Sequence, residues 1–260
     1  MSVDRPAADA GPLVQNHRLL ALPRVIGHRG ASAYAPENTL ASIRKAAELG
    51  ARWVEFDVRL TRERDLVLMH DDTVARTTDG RGRVLDLTLA ELGALDAGAW
   101  FGGAFSGERV PSLADAIALL AALGLGANIE MKTGKEEARA TAEALGRILA
   151  AGWPRAAPAP LVSSFEIAAL AAMQSAAPAW PRGLLLKQLE GDWRGLLERL
   201  GAATLNLDHR PLDAAKVARA SAAGRPVLCY TVNDPARARQ LFAWGVAAVV
   251  TDRPDTLLAV

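Results

Sequence analysis

Short apolar runs punctuate this chain at residues 24–28, 52–59, 127–132, 161–164, 183–186, 204–207, 226–232 and 247–251. Each has strand length and is bounded by turn or helix signals. Between them lie Ala- and Leu-rich segments with helical spacing of apolar positions, at 36–50, 136–150, 166–177, 193–200, 213–223 and 235–244. In the first of these, Leu40, Ile43 and Ala47 share one face. A further run, 66–70, follows 52–59 after a break at 61–65. That break is too short for a crossover helix, so the two runs predict an antiparallel hairpin. Leaving the return aside, eight strands alternate with helices, which implies parallel pairing through helical crossovers. The predicted fold is α/β, a distorted (β/α)8 TIM barrel of about 230 residues with a small insertion after the second strand. A doubly wound open sheet is the competing architecture. Its glycine fingerprint is missing, because Gly27-His28-Arg29-Gly30 puts charge where a dinucleotide loop needs small residues.

Residues 72–111 break the alternation. They are polar and Gly-rich, as in Thr77-Thr78-Asp79-Gly80-Arg81-Gly82, and read as an insertion shaping one end of the barrel. Within it, 88–95 predicts a short helix, since Thr88 precedes Glu91 by three positions. Ser112 reads as the cap of another helix. Residues 1–23 lack a long apolar core with a cleavage signature and read as a flexible leader to a single domain at 24–260.

Composition narrows the classes. Of 260 residues, 50% are hydrophobic and 23% charged, with a net charge of +1. No basic field exists for nucleic acid, and no apolar run approaches a membrane span. The single cysteine, Cys229, excludes an internal disulfide and reads as core filling in a reduced, cytoplasmic setting. Oligomeric state is not written in the pattern.

The chemistry collects in 52–71. Glu55 and Asp57, two positions apart, project to one side of a strand otherwise fit for a core. Two such acids are costly unless a positive charge sits between them. The hairpin brings His70 near Asp57. On the next barrel strand Asn128, Glu130 and Lys132 share a face. Glu55, Asp57 and Glu130 form a hard oxygen site for one divalent cation, Mg²⁺ or Ca²⁺. Arg29 and Lys132 add positive charge suited to a phosphate ester. His28 and His70 are candidates for a general acid and a general base. Asn38 reads either as a helix N-cap or as a residue that reaches substrate or orients a ligand. His209 is a weaker candidate for the pocket rim, and His17 reads as incidental.

His28-Arg29-Gly30, Pro36-Glu37-Asn38-Thr39, Glu55-x-Asp57, His70-Asp71 and Glu130-x-Lys132 together resemble the glycerophosphodiester phosphodiesterases, in their cytosolic bacterial form. Arg76-Thr77-Thr78-Asp79-Gly80, Pro111-Ser112-Leu113 and Thr251-Asp252-Arg253-Pro254 extend the likeness across nearly the whole chain after the leader. The resemblance implies metal-dependent hydrolysis of deacylated phospholipids, such as glycerophosphocholine or glycerophosphoethanolamine, to glycerol 3-phosphate and an alcohol. It further implies that Glu55, Asp57 and Glu130 hold the cation, that His28 and His70 are the acid–base pair, and that Arg29 and Lys132 grip the phosphate. Two departures stand out. Glu63-Arg64 replaces the family's usual Asp-Gly turn, and Tyr230 stands where a tryptophan is usual. The rival readings are a phospholipase acting on intact lipid through Trp100, Phe101 and Phe105, and a barrel that binds phosphodiesters without cleaving them.

Overall fold

Among the described residues, nine strands form one sheet, and its ends meet. They are β1 (Val25–His28), β2 (Trp53–Leu60), β3 (Leu66–Leu68), β4 (Gly126–Met131), β5 (Leu161–Ser164), β6 (Arg182–Leu186), β7 (Thr204–Asp208), β8 (Val227–Tyr230) and β9 (Ala248–Thr251). The order is β1-β9-β8-β7-β6-β5-β4-β2-β3, and an added β1–β2 pairing closes eight parallel strands into a barrel. Only β3 is antiparallel, folded back on β2 as the short break at 61–65 required. The computed structural model describes residues 20–155 and 157–260. His17 and most of the 1–23 leader lie outside the described residues.

Crossover helices α1 (Leu40–Glu48), α3 (Leu113–Leu123), α4 (Ala138–Gly152), α5 (Ile167–Ala176), α6 (Trp193–Arg199), α7 (Ala214–Ser221) and α8 (Pro235–Ala243) cover the outer face. α9 (Pro254–Leu258) follows β9, and the short α2 (Leu89–Gly93) lies in the 72–111 segment. Caps set the starts. Thr88 with Glu91 and Ser112 with Asp115 each close a capping box, satisfying amide donors that a helix cannot pair internally. At α1 the cap is Thr39, boxed with Ser42, and not Asn38. The helix therefore begins later than residue 36, because Asn38 adopts φ 57 and cannot continue it.

Two apolar layers follow from strand alternation. Val54, Phe56 and Val58 point outward and pack with Ile43, Leu120 and Leu145 under the helices. Trp53 points inward and fills the barrel with Ile26, Leu161, Leu228 and Val250, while Leu20 and Leu22 pack against that inner cluster. A β-carbon at Gly126 would strike the Trp53 ring, so a side-chain-free position makes room for the largest inner residue. The 72–111 segment builds a third, smaller cluster of Val74, Val84, Leu92, Ala97 and Val110 on Val67 and Met69 of the hairpin.

The hairpin closes without the expected Asp-Gly. Arg64 N–H donates to Thr61 O at 3.0 Å, Thr61 N–H donates to Asp65 O at 2.8 Å, and Arg64 itself takes φ 64. A side chain in that left-handed region costs about 1–2 kcal/mol. Arg64→Gly removes this strain but loosens the unfolded chain, so a net gain of about 0.5–1 kcal/mol is expected in urea denaturation. An unchanged or lower midpoint would show that the Arg64 backbone carries no strain.

Candidate active site

β2 carries the site. Glu55 and Asp57 follow Trp53 on its inner face and are 4% and 1% exposed. β4 runs beside it with Asn128 opposite Glu55 and Glu130 opposite Asp57. One oxygen from each of Glu55, Asp57 and Glu130 lies within 4.8 Å of the others. Both histidines arrive along the other edge of β2, since β4 fills its partner edge from Trp53 to Val58. β1 ascends there with His28 in register with Glu55. β3 descends there with Leu68 opposite Val58, and Met69 N–H donates to Asp57 O at 3.1 Å. His70 is the next residue. A rising and a falling strand on one edge thus bring the two imidazoles to the acids.

Each histidine is held by an aspartate. His28 Nδ1 lies 2.6 Å from Asp252 Oδ1, and His70 Nδ1 lies 2.6 Å from Asp71 Oδ1. A carboxylate accepting the Nδ1 proton leaves Nε2 as the working nitrogen. His28 Nε2 sits 3.9 Å from Glu55 Oε2. Asp252 is fixed in turn by Ser32 Oγ at 2.7 Å and Asn233 Nδ2 at 2.6 Å. Asn38 is clamped to Asp57 at both ends of its amide: Nδ2 donates to Asp57 Oδ2 at 2.9 Å, and Oδ1 accepts from Asp57 N–H at 3.1 Å. Of the sequence alternatives for Asn38, this geometry matches orientation of a ligating acid.

Two cations face the acids. Arg29 Nε lies 3.2 Å and Lys132 Nζ 3.4 Å from Asp57, and Lys132 Nζ lies 2.6 Å from Glu130. Burial works to raise Asp57, but Arg29, Lys132, His70 and the Asn38 hydrogen bond outweigh it and hold it at about 2. Burial raises Glu55 well above the usual carboxylate range, and the charges of Asp57 and Glu130 push it further. Burial and Asp57 likewise lift Glu130 to about 7, against the pull of Lys132. Among the described residues, Glu55 Oε1 and Asn128 Oδ1 are buried acceptors with no hydrogen-bond partner. Three crowded carboxylates, two of them resisting ionisation, and two orphaned oxygens fit a divalent cation.

A cavity of about 460 Å³ opens onto His28, His70, Arg29 and Lys132, with a wall of Phe165, Leu185, Leu228 and Tyr230 opposite. Tyr230 packs edge-on against Phe165 and donates its hydroxyl to Leu186 O at 3.0 Å. His209 does not line this cavity; it packs against Arg237, whose Nε lies 3.4 Å from its Nδ1. Asp71, Asp252, Glu37 and Arg76 were visible only as members of motifs. Asp252 lies 224 positions from His28 and Arg76 lies 39 from Glu37, so no local pattern announces those two pairings, whereas Asp71 adjoins His70 in the chain.

A parallel barrel with a hard-cation acid cluster, two aspartate-held histidines and two cations at one end defines a phosphoester hydrolase. Residues 28–256 match the Glycerophosphoryl diester phosphodiesterase family, and the chain belongs to that family. It is 36% identical over 235 residues to the glycerophosphodiester phosphodiesterase of Caldanaerobacter subterraneus subsp. tengcongensis, covering 90% of this chain and 96% of that one. It is similar to the structure of an Oleispira antarctica phosphodiesterase in complex with the product sn-glycerol-3-phosphate, with 37% identity, a TM-score of 0.89, and 94% and 98% of the two chains covered. The glycerophosphodiester phosphodiesterase of Agrobacterium tumefaciens aligns at 28% identity with a TM-score of 0.77, over 92% of this chain and 100% of that one. Among the described residues no helix is long and apolar enough to cross a membrane.

Asn38→Ala deletes two buried hydrogen bonds, orphans the Asp57 N–H and leaves a β-carbon at positive φ. A loss of about 2–4 kcal/mol is expected in chemical denaturation. A loss below about 1 kcal/mol would show that Asp57 does not depend on this clamp.

Proposed function

We propose that the chain hydrolyses glycerophosphodiesters, of the glycerophosphocholine and glycerophosphoethanolamine class, to glycerol 3-phosphate and the free alcohol. The observation that carries this reading is the meeting of the Glu55, Asp57 and Glu130 cluster with His28 and His70 at one cavity, which Glu55 and Glu130 line. Glu55, Asp57 and Glu130 would hold one Mg²⁺ or Ca²⁺, which when bound supplies positive charge to the phosphoryl oxygens. Arg29 and Lys132 offset the charge on the same group as it grows toward the transition state. One histidine takes the proton of the attacking oxygen at Nε2, and the other delivers a proton from Nε2 to the departing ester oxygen. A new P–O bond forms as the P–O bond to the alcohol breaks. Asp252 and Asp71 keep the two imidazoles in the tautomer that makes this exchange possible.

A pure binder has no use for two oriented proton carriers, which speaks against the non-catalytic reading. The lipid-surface reading rests on Trp100, which is 42% exposed, but Phe101 packs edge-on against both Trp100 and Phe105. The reading includes a reduced cytoplasmic setting, supported by the buried free thiol of Cys229.

The test is release of glycerol 3-phosphate from glycerophosphocholine. Chelation with EDTA is expected to abolish it, and Mg²⁺ or Ca²⁺ to restore it; indifference to chelation would overturn the metal assignment. His28→Ala and His70→Ala should each lower turnover at least ~100-fold. Near-full turnover in both variants would remove the acid–base pair from the proposal.

A further inference from the structure

We propose that Arg76, carried by the 72–111 segment, is a positioning residue for both sides of the catalytic centre: its guanidinium locks the two carboxylates that orient His70 and Arg29. The inference rests on the roles proposed above for those two residues. Arg76 Nε donates to Asp71 Oδ2 at 2.6 Å and Nη2 to Asp71 Oδ1 at 3.1 Å. Its Nη1 and Nη2 donate to Glu37 Oε2 and Oε1, both at 2.8 Å. Asp71 holds His70 Nδ1, and Glu37 Oε1 accepts from Arg29 Nη1 at 2.5 Å. The path therefore runs His70, Asp71, Arg76, Glu37, Arg29 and on to Asp57. Only a planar fork can engage two carboxylates two-toothed at once, which a lysine ammonium cannot do.

The support behind Arg76 is rigid. Val74 is fully buried, Thr78 Oγ1 donates to Val74 O at 2.8 Å, and Thr77 Oγ1 reaches Met69 Sδ at 3.4 Å. The strand-end turn that carries Arg76 is thus tied to the small apolar cluster over the hairpin. The inserted segment acquires a function in this way. It completes the barrel mouth with one cation that no barrel strand supplies. A centre whose groups are brought in by two separate elements, His28 and Arg29 at the end of β1 and His70 just past β3, needs a link between them if their spacing is to hold.

The experiment uses the full chain with Mg²⁺ and glycerophosphocholine, reading glycerol 3-phosphate release. Arg76→Ala is expected to lower kcat about 10–100-fold. Added guanidinium should recover part of that loss, and NaCl of equal ionic strength should not. Arg76→Lys should remain about tenfold below the parent, because it can hold one carboxylate and not both. In an Asp71→Asn, Glu37→Gln background, Arg76→Ala should cost less than about threefold, since the groups it positions are already altered. A residue that merely stabilises the fold would cost the same factor in either background and would not respond to guanidinium. Equal losses in the two backgrounds, or parental kcat in Arg76→Lys, would overturn the clamp. If Arg76→Ala does not fold, Arg76→Lys takes its place in the background comparison. His70→Ala separates the two levels. Its inactivity beside fully active Arg76 variants overturns the clamp alone, whereas its full activity overturns the acid–base reading beneath it.

Discussion

Three carboxylates, with one oxygen of each within 4.8 Å of the others at the mouth of the barrel, are the constraint to which the rest of this structure answers. Burial strips them of water, and their mutual repulsion adds to the cost. The two protein cations beside them, Arg29 and Lys132, bring Asp57 fully into its charged form but leave Glu55 and Glu130 reluctant to ionise. Apolar residues of the same volume would stabilise the barrel better. Such a cluster calls for a further positive charge, and beside it Glu55 Oε1 and Asn128 Oδ1 are buried without a hydrogen-bond partner.

The second organising fact is geometric. β2 outruns the barrel, so that β1 occupies the lower part of one edge and β3 the upper part. A parallel neighbour ends where an antiparallel neighbour also ends, coming from the opposite direction. Two strand termini thereby meet beside the acid cluster, each presenting a histidine followed by a charged residue. Ordinary parallel neighbours end side by side and cannot approach one another head-on. The hairpin is therefore the device that brings a second histidine, His70, to the acid cluster beside His28.

Much of this was legible in the chain. Period-two spacing placed Glu55 with Asp57 and Asn128 with Glu130, and the short break at 61–65 forced the hairpin that brings His70 to Asp57. What local pattern cannot express is the choice of partner across the fold. Asp252 follows the last barrel strand, yet its work is on His28 at the end of the first, because barrel closure sets β9 beside β1. Asn38 looked like a cap since it precedes a helix, but its left-handed backbone passes the cap to Thr39 and frees its amide for Asp57. Trp53 obeys the same alternation. It shares the acids' face, and Gly126 on the neighbouring strand makes space for it inside the barrel.

The turn between β1 and α1 carries the remaining strain. Arg29 and Asn38 both take positive φ, and Gly30 between them takes φ 89 with no room for a β-carbon beside Ser42. Such conformations persist only where surrounding bonds over-determine them. Here Arg29 N–H donates to Glu55 Oε2, Gly30 N–H to Glu55 O, Ser42 Oγ to Arg29 O, and Asn38 to Asp57. Nearly every bond that enforces the strained turn ends on β2 or on the start of α1. The acids thus hold in place the loop that brings Arg29 to them, and Arg29 in return lowers the cost of burying Asp57. A site built on this reciprocity has its acids and cations held in place by the protein's own bonds, the preorganisation on which electrostatic catalysis relies.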